Sequence, residues 1–132
     1  MRVTELEVLP GRFSIVKLPT VAHAAILMGQ AGFQPAFLAI TENEVSLVCP
    51  AAAVPRTALA RDDDWSLMRV PGELDFRLVG VLAQLTATLA EANVPVFAVS
   101  TFDTDYLLVK TANLERAARA LTDSGSSVHL PA

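Results

Sequence analysis

An internal repeat restricts the fold of this chain more than any other feature of its sequence. Residues 35–41 read PAFLAIT and residues 95–101 read PVFAVST, so Pro, Phe and Thr recur at a constant offset of 60. Two further matches fall in the same order: residues 16–19 with 68–71 at an offset of 52, and residues 45–48 with 106–109 at an offset of 61. Ordered self-similarity of this kind indicates that a strand–helix–strand–strand–helix unit is duplicated.

The second copy carries the clearest helix signal. Four leucines recur at spacings of three and four, which is one face of an α-helix, and Asn93 followed by Pro95 predicts where the helix ends. Asp75 is placed to act as the N-cap of this helix, and Gly72 permits a tight turn before it. The leucines are Leu78, Leu82, Leu85 and Leu89.

One strand of the repeat is hard to place. Residues 55–61 are predicted to form one or two helical turns, the aspartates at 62–64 a solvated loop, and residues 66–70 a strand. A βαββαβ unit needs a fourth strand after its second helix, but residues 66–70 are also the first strand of the second copy. We expect the additional strand predicted at residues 6–9 to take the place of the missing fourth strand.

Composition disfavours several classes of protein. The chain of 132 residues is 52% apolar and 18% charged, below the ~25% charge typical of soluble domains, so we expect a folded core rather than disorder. The net charge of −4 argues against a nucleic-acid partner, which needs a basic face. The sequence holds no apolar run long enough to span a membrane, and its acidic N-terminus is unlike a signal peptide. We therefore expect no membrane partner.

The apolar surplus and the single cysteine lead to two further expectations. A small chain with more apolar surface than it can bury tends to associate, so a homodimer is expected; the alternative is a well-packed, alanine-rich monomer. Cys49 has no second cysteine to pair with. This excludes an internal disulfide and a cysteine-cluster metal site, and a reducing cytoplasm is the expected compartment.

The sequence lacks the usual constellations of an enzyme. It has neither a glycine-rich phosphate loop nor a Gly-x-Ser-x-Gly elbow. His23 and His129 have no metal-ligand spacing to another His, Cys or carboxylate, and a lone Cys49 is more often a small buried hydrophobe than a nucleophile. We therefore predict no catalysis, no metal and no cofactor.

Two separated motifs give the chain a family resemblance. Residues 72–76 (GELDF) and 100–106 (STFDTDY), together with residues 6–14 and 46–50, resemble the small bacterial proteins built from two ACT domains. The motif segments are also similar to the animal cytosolic arginine sensors. The resemblance implies a ligand-sensing fold, with the ligand where the first loop and helix of one domain meet the second strand of another. Since the arginine sensors have four ACT domains, a complete site is expected to need a dimer.

The two motif segments hold residue types that suit a zwitterionic amino acid. Backbone amides at a helix start, aided by the helix dipole, can hold a carboxylate, and hydroxyls with carboxylates can hold an ammonium group. Each residue also has a structural interpretation, because Asp75 can simply cap a helix and Asp103 and Asp105 can simply build a turn. The predicted ligand contacts are Gly72, Glu73, Leu74, Asp75, Phe76, Ser100, Thr101, Phe102, Asp103 and Asp105.

The sequence therefore predicts an α+β fold of two ferredoxin-like, βαββαβ-type units with antiparallel sheets and helices on one face. The predicted limits are 1–65 for the first ACT-like unit and 66–132 for the second ACT domain. The predicted function is a regulatory module that senses an amino acid without catalysis. The alternative functions are a dimerisation or partner-docking module without a small-molecule ligand, and an uncharacterised enzyme of ferredoxin-like fold.

Overall fold

A computed structural model of the chain describes residues 5–70 and 80–131 and confirms the predicted α+β class. The chain divides into two compact units. We call Gly11–Trp65 the first-repeat unit; the second-repeat unit combines the chain up to Pro10 with the chain from Ser66 onward. Each has the ferredoxin-like strand arrangement.

The second-repeat unit contains a complete set of elements around an antiparallel sheet. Strand β5 is followed in order by α2, β6, β7, α3 and β8, and β1 also belongs to this sheet. The strand order is β6–β7–β5–β1–β8, with β1 antiparallel to β5 and parallel to β8. The bounds are β1 Glu5–Val8, β5 Ala60–Arg69, α2 Val81–Glu91, β6 Phe97–Ser100, β7 Asp105–Lys110, α3 Leu114–Asp123 and β8 Ser127–His129.

Both longer helices of this unit cover one face of the sheet. Leu85 and Leu89 of α2 and Ala117 and Leu121 of α3 are buried, as their helical spacing predicts. They pack on the inward residues of four strands, so the unit has one core layer between helices and sheet. The buried cluster consists of Leu6, Val8, Met68, Val70, Leu85, Leu89, Val94, Leu107, Val109, Ala117 and Leu121.

The first-repeat unit, which is described over its whole length, has four strands, lacks a counterpart of β1, and has fewer helical residues. Its strands lie in the order β3–β4–β2–β5, and all neighbours are antiparallel. A 3-10 turn follows the hairpin in both units, at Ala51–Ala53 and at Thr111–Asn113, and in the second-repeat unit α3 continues from it. The bounds are β2 Phe13–Leu18, α1 Ala22–Ala25, β3 Phe37–Ile40 and β4 Val45–Pro50.

Strand β5 resolves the problem of the missing fourth strand. It runs over ten residues, Ala60–Arg69, and its first part pairs with β2 while its second part pairs with β1 and β7. The first part is thus the fourth strand of one unit, and the second part is the first strand of the other. Residues 60–64 form strand. The prediction of a loop at 62–64 is therefore wrong, and so is the prediction of helical turns at 55–61 for its last two residues.

The aspartates of β5 have partners both on β2 or just before it and on β5 itself. The hydroxyl of Ser14, which is fully buried, donates to Asp63. Asp63 also accepts from Arg61 Nε at 2.9 Å, and Asp64 accepts from Arg12 at 3.1 Å. Asp62 accepts from Trp65 Nε1 at 3.1 Å, and both Asp62 and Asp64 are exposed, so the triplet keeps its contact with water within the strand.

The first strand, β1, pairs within the second-repeat unit and does not replace a strand of the first. Val8 is registered with Met68, and Leu6 with Val128. Leu6 is fully buried in the core of that unit. The substitution proposed for residues 6–9 is therefore wrong, because apolar burial fixes β1 between β5 and β8. The domain limits 1–65 and 66–132 remain a prediction.

Strand pairing repeats at one constant offset. Residues 37–40 pair with 48–45, and residues 97–100 pair with 108–105, so both strands of the hairpin are related by 60 positions. The offset of 61 that residues 45–48 and 106–109 indicated is wrong. Both segments are almost wholly apolar, so an alignment shifted by one residue still matches apolar residues with apolar residues. The same shift assigns every side chain to the opposite face of the strand.

We expect Leu89→Ala to destabilise the second-repeat unit by about 2–5 kcal/mol, because the buried side chain leaves a cavity in the core. Leu130→Ala is the matched control, since Leu130 is 64% exposed and should change the free energy of unfolding by less than about 0.5 kcal/mol. Urea unfolding followed by circular dichroism measures both. Equal midpoints for the two variants would contradict the position of α2 in the core.

Candidate functional site

The candidate site is the end of the β6–β7 hairpin, where a hydroxyl and a carboxylate lie side by side. Ser100 and Asp105 are directly registered across the two strands. The Ser100 hydroxyl donates to Asp105 Oδ1 at 2.6 Å, a charge-assisted hydrogen bond. Asp105 is half-buried and Ser100 is exposed, so the pair can be reached by solvent.

Thr101 builds the turn of this hairpin with both its backbone and its side chain. Its amide donates to the carbonyl of Thr104 at 2.8 Å, and its hydroxyl donates to the same carbonyl at 3.0 Å. The Thr104 amide donates back to the Thr101 hydroxyl at 3.3 Å. The structure thus gives Thr101, one of the predicted ligand contacts, a role in fixing the turn.

Phe102 and Asp103 form the tip of the hairpin, between Thr101 and Thr104. Phe102 is 79% exposed, the largest exposure among the large apolar side chains described. Asp103 is exposed as well. The tip therefore presents a carboxylate and an aromatic ring to solvent next to the Ser100–Asp105 pair.

Thr104 ties the hairpin to the end of β5. Its hydroxyl, which is buried, donates to the carbonyl of Val70, and the Val70 amide donates to the carbonyl of Asp105 at 3.1 Å. In the sequence, Val70 lies two residues before Gly72, the first residue of the other predicted segment. Sequence reasoning did not single out Thr104, because a threonine between two aspartates has the pattern of an ordinary turn residue.

The other predicted segment, with Gly72, Glu73, Leu74, Asp75 and Phe76, lies outside the described residues. Helix α2 begins at Val81, and its N-cap is Gly80 with φ +89°, a left-handed conformation that favours glycine. Gly80 therefore occupies the N-cap position of α2, and Asp75, the predicted N-cap, lies outside the described residues.

The corresponding hairpin of the first-repeat unit has the same turn but different chemistry. The Thr41 amide donates to the Glu44 carbonyl at 3.0 Å, just as the Thr101 amide donates to the Thr104 carbonyl at 2.8 Å. The registered pair that replaces Ser100 and Asp105 is Ile40 and Val45. The same position thus carries a polar pair in one repeat and an apolar pair in the other, which indicates different roles.

The remaining reactive groups have structural partners. Thr20 Oγ1 lies 3.0 Å from His23 Nδ1, and His129 Nε2 lies 3.6 Å from Glu5 Oε1. Within residues 5–70 and 80–131, no three His, Cys, Asp or Glu side chains converge as a metal site would require. No helix in the same residues is long and apolar enough to cross a membrane.

Cys49 is fully buried on β4, registered with Ser14. Burial raises the pKa of its thiol from an ordinary 9.0 to about 11, against a smaller opposing effect of the Arg61 charge. The thiolate is the nucleophilic form, so the raised pKa argues against a reactive cysteine. Its counterpart at an offset of 60 is Val109, which supports a packing role.

We expect the free energy of unfolding to fall as pH rises from about 9 to about 11 more steeply in the parent than in Cys49→Val. Below pH 9 the thiol is protonated in the folded and in the unfolded chain. Between pH 9 and pH 11 it ionises mainly in the unfolded chain. The extra loss can reach about 2–3 kcal/mol, the free energy of two pKa units. Denaturant unfolding over this range measures it, and parallel curves for parent and variant would contradict the buried thiol.

Comparison with known proteins agrees with this architecture. Residues 60–123, from the start of β5 to the end of α3, match the ACT domain family. A protein from Agobacterium tumefaciens of known structure is 28% identical, with a TM-score of 0.86, over 100% of this chain and 96% of that one. The described fold is accordingly ACT-like.

More distant structures share the fold. A Vibrio cholerae protein of unknown function is 16% identical, with a TM-score of 0.74, over 96% of this chain and 90% of that one. The ligand-free regulatory subunit of aspartate kinase from Thermus thermophilus is 11% identical, with a TM-score of 0.66, over 93% of this chain and 99% of that one. At these identities the likeness concerns the fold alone.

Proposed function

We propose that this protein is a regulatory module that binds an amino acid at the β6–β7 hairpin end and has no catalytic activity of its own. The carrying observation is the solvent-accessible Ser100–Asp105 pair, fixed by Thr104 to the end of β5. The predicted contacts Gly72–Phe76 follow this strand end in the chain. We also propose a cytoplasmic location, in keeping with the single unpaired cysteine.

Charge at the hairpin end favours a ligand with a positive group. Asp103 and Asp105 supply two carboxylates within three residues, and both can accept hydrogen bonds from an ammonium or guanidinium group. Glu73 and Asp75 would add two more if the loop contributes to the same site. A basic amino acid therefore fits the proposed site best.

The comparisons support a regulatory role at a coarser level. The ACT domain match at residues 60–123 includes the polar hairpin, and the Thermus thermophilus neighbour is a regulatory subunit. The likeness to arginine sensors and the full tandem ACT organisation stay part of the proposal. A docking module without a ligand is the second candidate, favoured by the exposed Phe102 and other exposed apolar side chains.

A thermal-shift screen against the twenty standard amino acids tests the proposed function. A ligand present at 100 times its dissociation constant should stabilise the folded chain by about 2.7 kcal/mol, because it binds only the folded state. Basic amino acids should give the largest shifts. A screen without any shift, including arginine and lysine at millimolar concentration, would favour the docking module.

Asp103→Asn and Asp105→Asn test the location of the site. Each should weaken binding of the ligand found in the screen by about 1.5–3 kcal/mol if its carboxylate makes a charge-assisted hydrogen bond. The fold should tolerate the change at 103, because the matching turn of the first repeat already has Asn43 at that position.

Asn43→Asp is the matched control, since it adds a carboxylate to the apolar hairpin and should leave affinity unchanged. Isothermal titration calorimetry on all three variants gives the comparison. If both aspartate variants bind as tightly as the parent, the ligand lies elsewhere.

A further inference from the structure

Thr104 is buried in the turn of the β6–β7 hairpin, although the residues before it in the turn face water. Connecting segments usually lie on the surface, and the structure exposes residues 100–103 accordingly. Thr104 keeps only 8% of its surface accessible. A buried hydroxyl without a partner destabilises a fold, so this position requires a bond that holds the hydroxyl there.

All three polar groups of Thr104 are engaged. Its amide donates to the Thr101 hydroxyl at 3.3 Å, and its carbonyl accepts from the Thr101 amide at 2.8 Å. Its hydroxyl donates to the carbonyl of Val70, the residue that follows β5. The backbone bonds close the turn, whereas the hydroxyl reaches a residue 34 positions away in the sequence. The hydroxyl therefore fastens the turn to the end of the neighbouring strand.

Val70 is held by its amide as well as by its carbonyl. The amide donates to the carbonyl of Asp105 at 3.1 Å, so Val70 is bonded to two successive residues of the hairpin. Asp105 is thereby fixed at its backbone by Val70 and at its carboxylate by Ser100. A carboxylate held in this way is in place before a ligand arrives, which lowers the ordering cost of binding.

The first repeat shows that the turn itself does not need the buried hydroxyl. Glu44 stands at the position of Thr104, at an offset of 60, and is exposed. An ionised glutamate has no proton to donate, so Glu44 cannot replace the bond that the Thr104 hydroxyl makes. The turn still closes, because the Thr41 amide donates to the Glu44 carbonyl at 3.0 Å.

The strand beside the turn is also equivalent in the two repeats. Leu18 and Val45 are registered with each other. They stand at the positions of Val70 and Asp105, at offsets of 52 and 60. The same backbone arrangement thus occurs twice, and the buried hydroxyl accompanies the repeat that carries the aspartate.

We propose that Thr104 is a positioning residue of the ligand site: the bond from its buried hydroxyl to Val70 holds the Asp105 carboxylate where the ligand needs it. Thr104 itself does not contact the ligand. The inference rests on the proposed function and adds to it a residue that sets the affinity from outside the contact surface. The alternative is that the bond serves only the stability of the fold, and its loss would then leave the affinity unchanged.

Isothermal titration calorimetry of the full chain with L-arginine and L-lysine tests the proposal. Thr104→Val keeps the shape of the side chain and removes the hydroxyl. The dissociation constant of the bound amino acid should rise about tenfold, an ordinary effect for a residue that acts without touching the ligand. Thr104→Ser keeps the donor and should restore binding to nearly the strength of the parent.

Thr111→Val is the matched control, because the same substitution removes a hydroxyl at the other end of β7. Thr111 Oγ1 lies 2.9 Å from the hydroxyl of Ser66, which is buried. Urea unfolding should show a lower midpoint in both valine variants, since each loses a hydrogen bond to a buried group. The affinity should fall in Thr104→Val alone.

Three results would overturn the inference and leave the proposed function standing: equal binding by the parent and Thr104→Val, no recovery in Thr104→Ser, or equal weakening in Thr111→Val. Should Thr104→Val not fold, Thr104→Ala takes its place; it opens the Val70 carbonyl to water and should weaken binding in the same way. A parent that binds neither amino acid would overturn the inference together with the proposed preference for a basic ligand.

Discussion

The pairing of strand β5 with both sheets is the interaction on which the rest of the structure depends. Its first part completes the first-repeat unit beside β2, and its second part lies between β1 and β7. The strand can run through residues 62–64 because Asp62 and Asp64 remain exposed to water and the half-buried Asp63 accepts hydrogen bonds from Ser14 and Arg61.

The two repeats share the backbone plan of the hairpin and differ in the side chains at one registered position. The two hairpins share a threonine-stabilised turn and a constant offset of 60, so the backbone is held alike in both. Side chains at the same registered position are then free to differ. One repeat presents the polar pair Ser100 and Asp105, and the other presents the apolar pair Ile40 and Val45.

The repeat and the leucine pattern predicted the fold class, because burial of Leu85 and Leu89 follows directly from their helical spacing. The long β5 could not be predicted, since the partner of Asp63 is Ser14, which lies 49 residues away. The candidate contacts between Ser100 and Asp105 rest on their residue types, and their role as a ligand site stays a prediction. The role of Thr104 could not be predicted, because it depends on a bond to Val70 that only the folded sheet creates.

The position of β1 makes the first-repeat unit an insertion in the chain of the second. Val8 lies opposite Met68, and the Leu9 amide donates to the carbonyl of Leu67 at 2.9 Å. The chain leaves this antiparallel pair after Pro10 and returns at Ser66, as it would in a β-hairpin whose loop is a whole folded unit. A tight turn of a few residues could replace residues 11–65 and still close the same hairpin. The architecture is therefore compatible with an ancestral single domain whose β1–β5 turn accepted a copy of the rest.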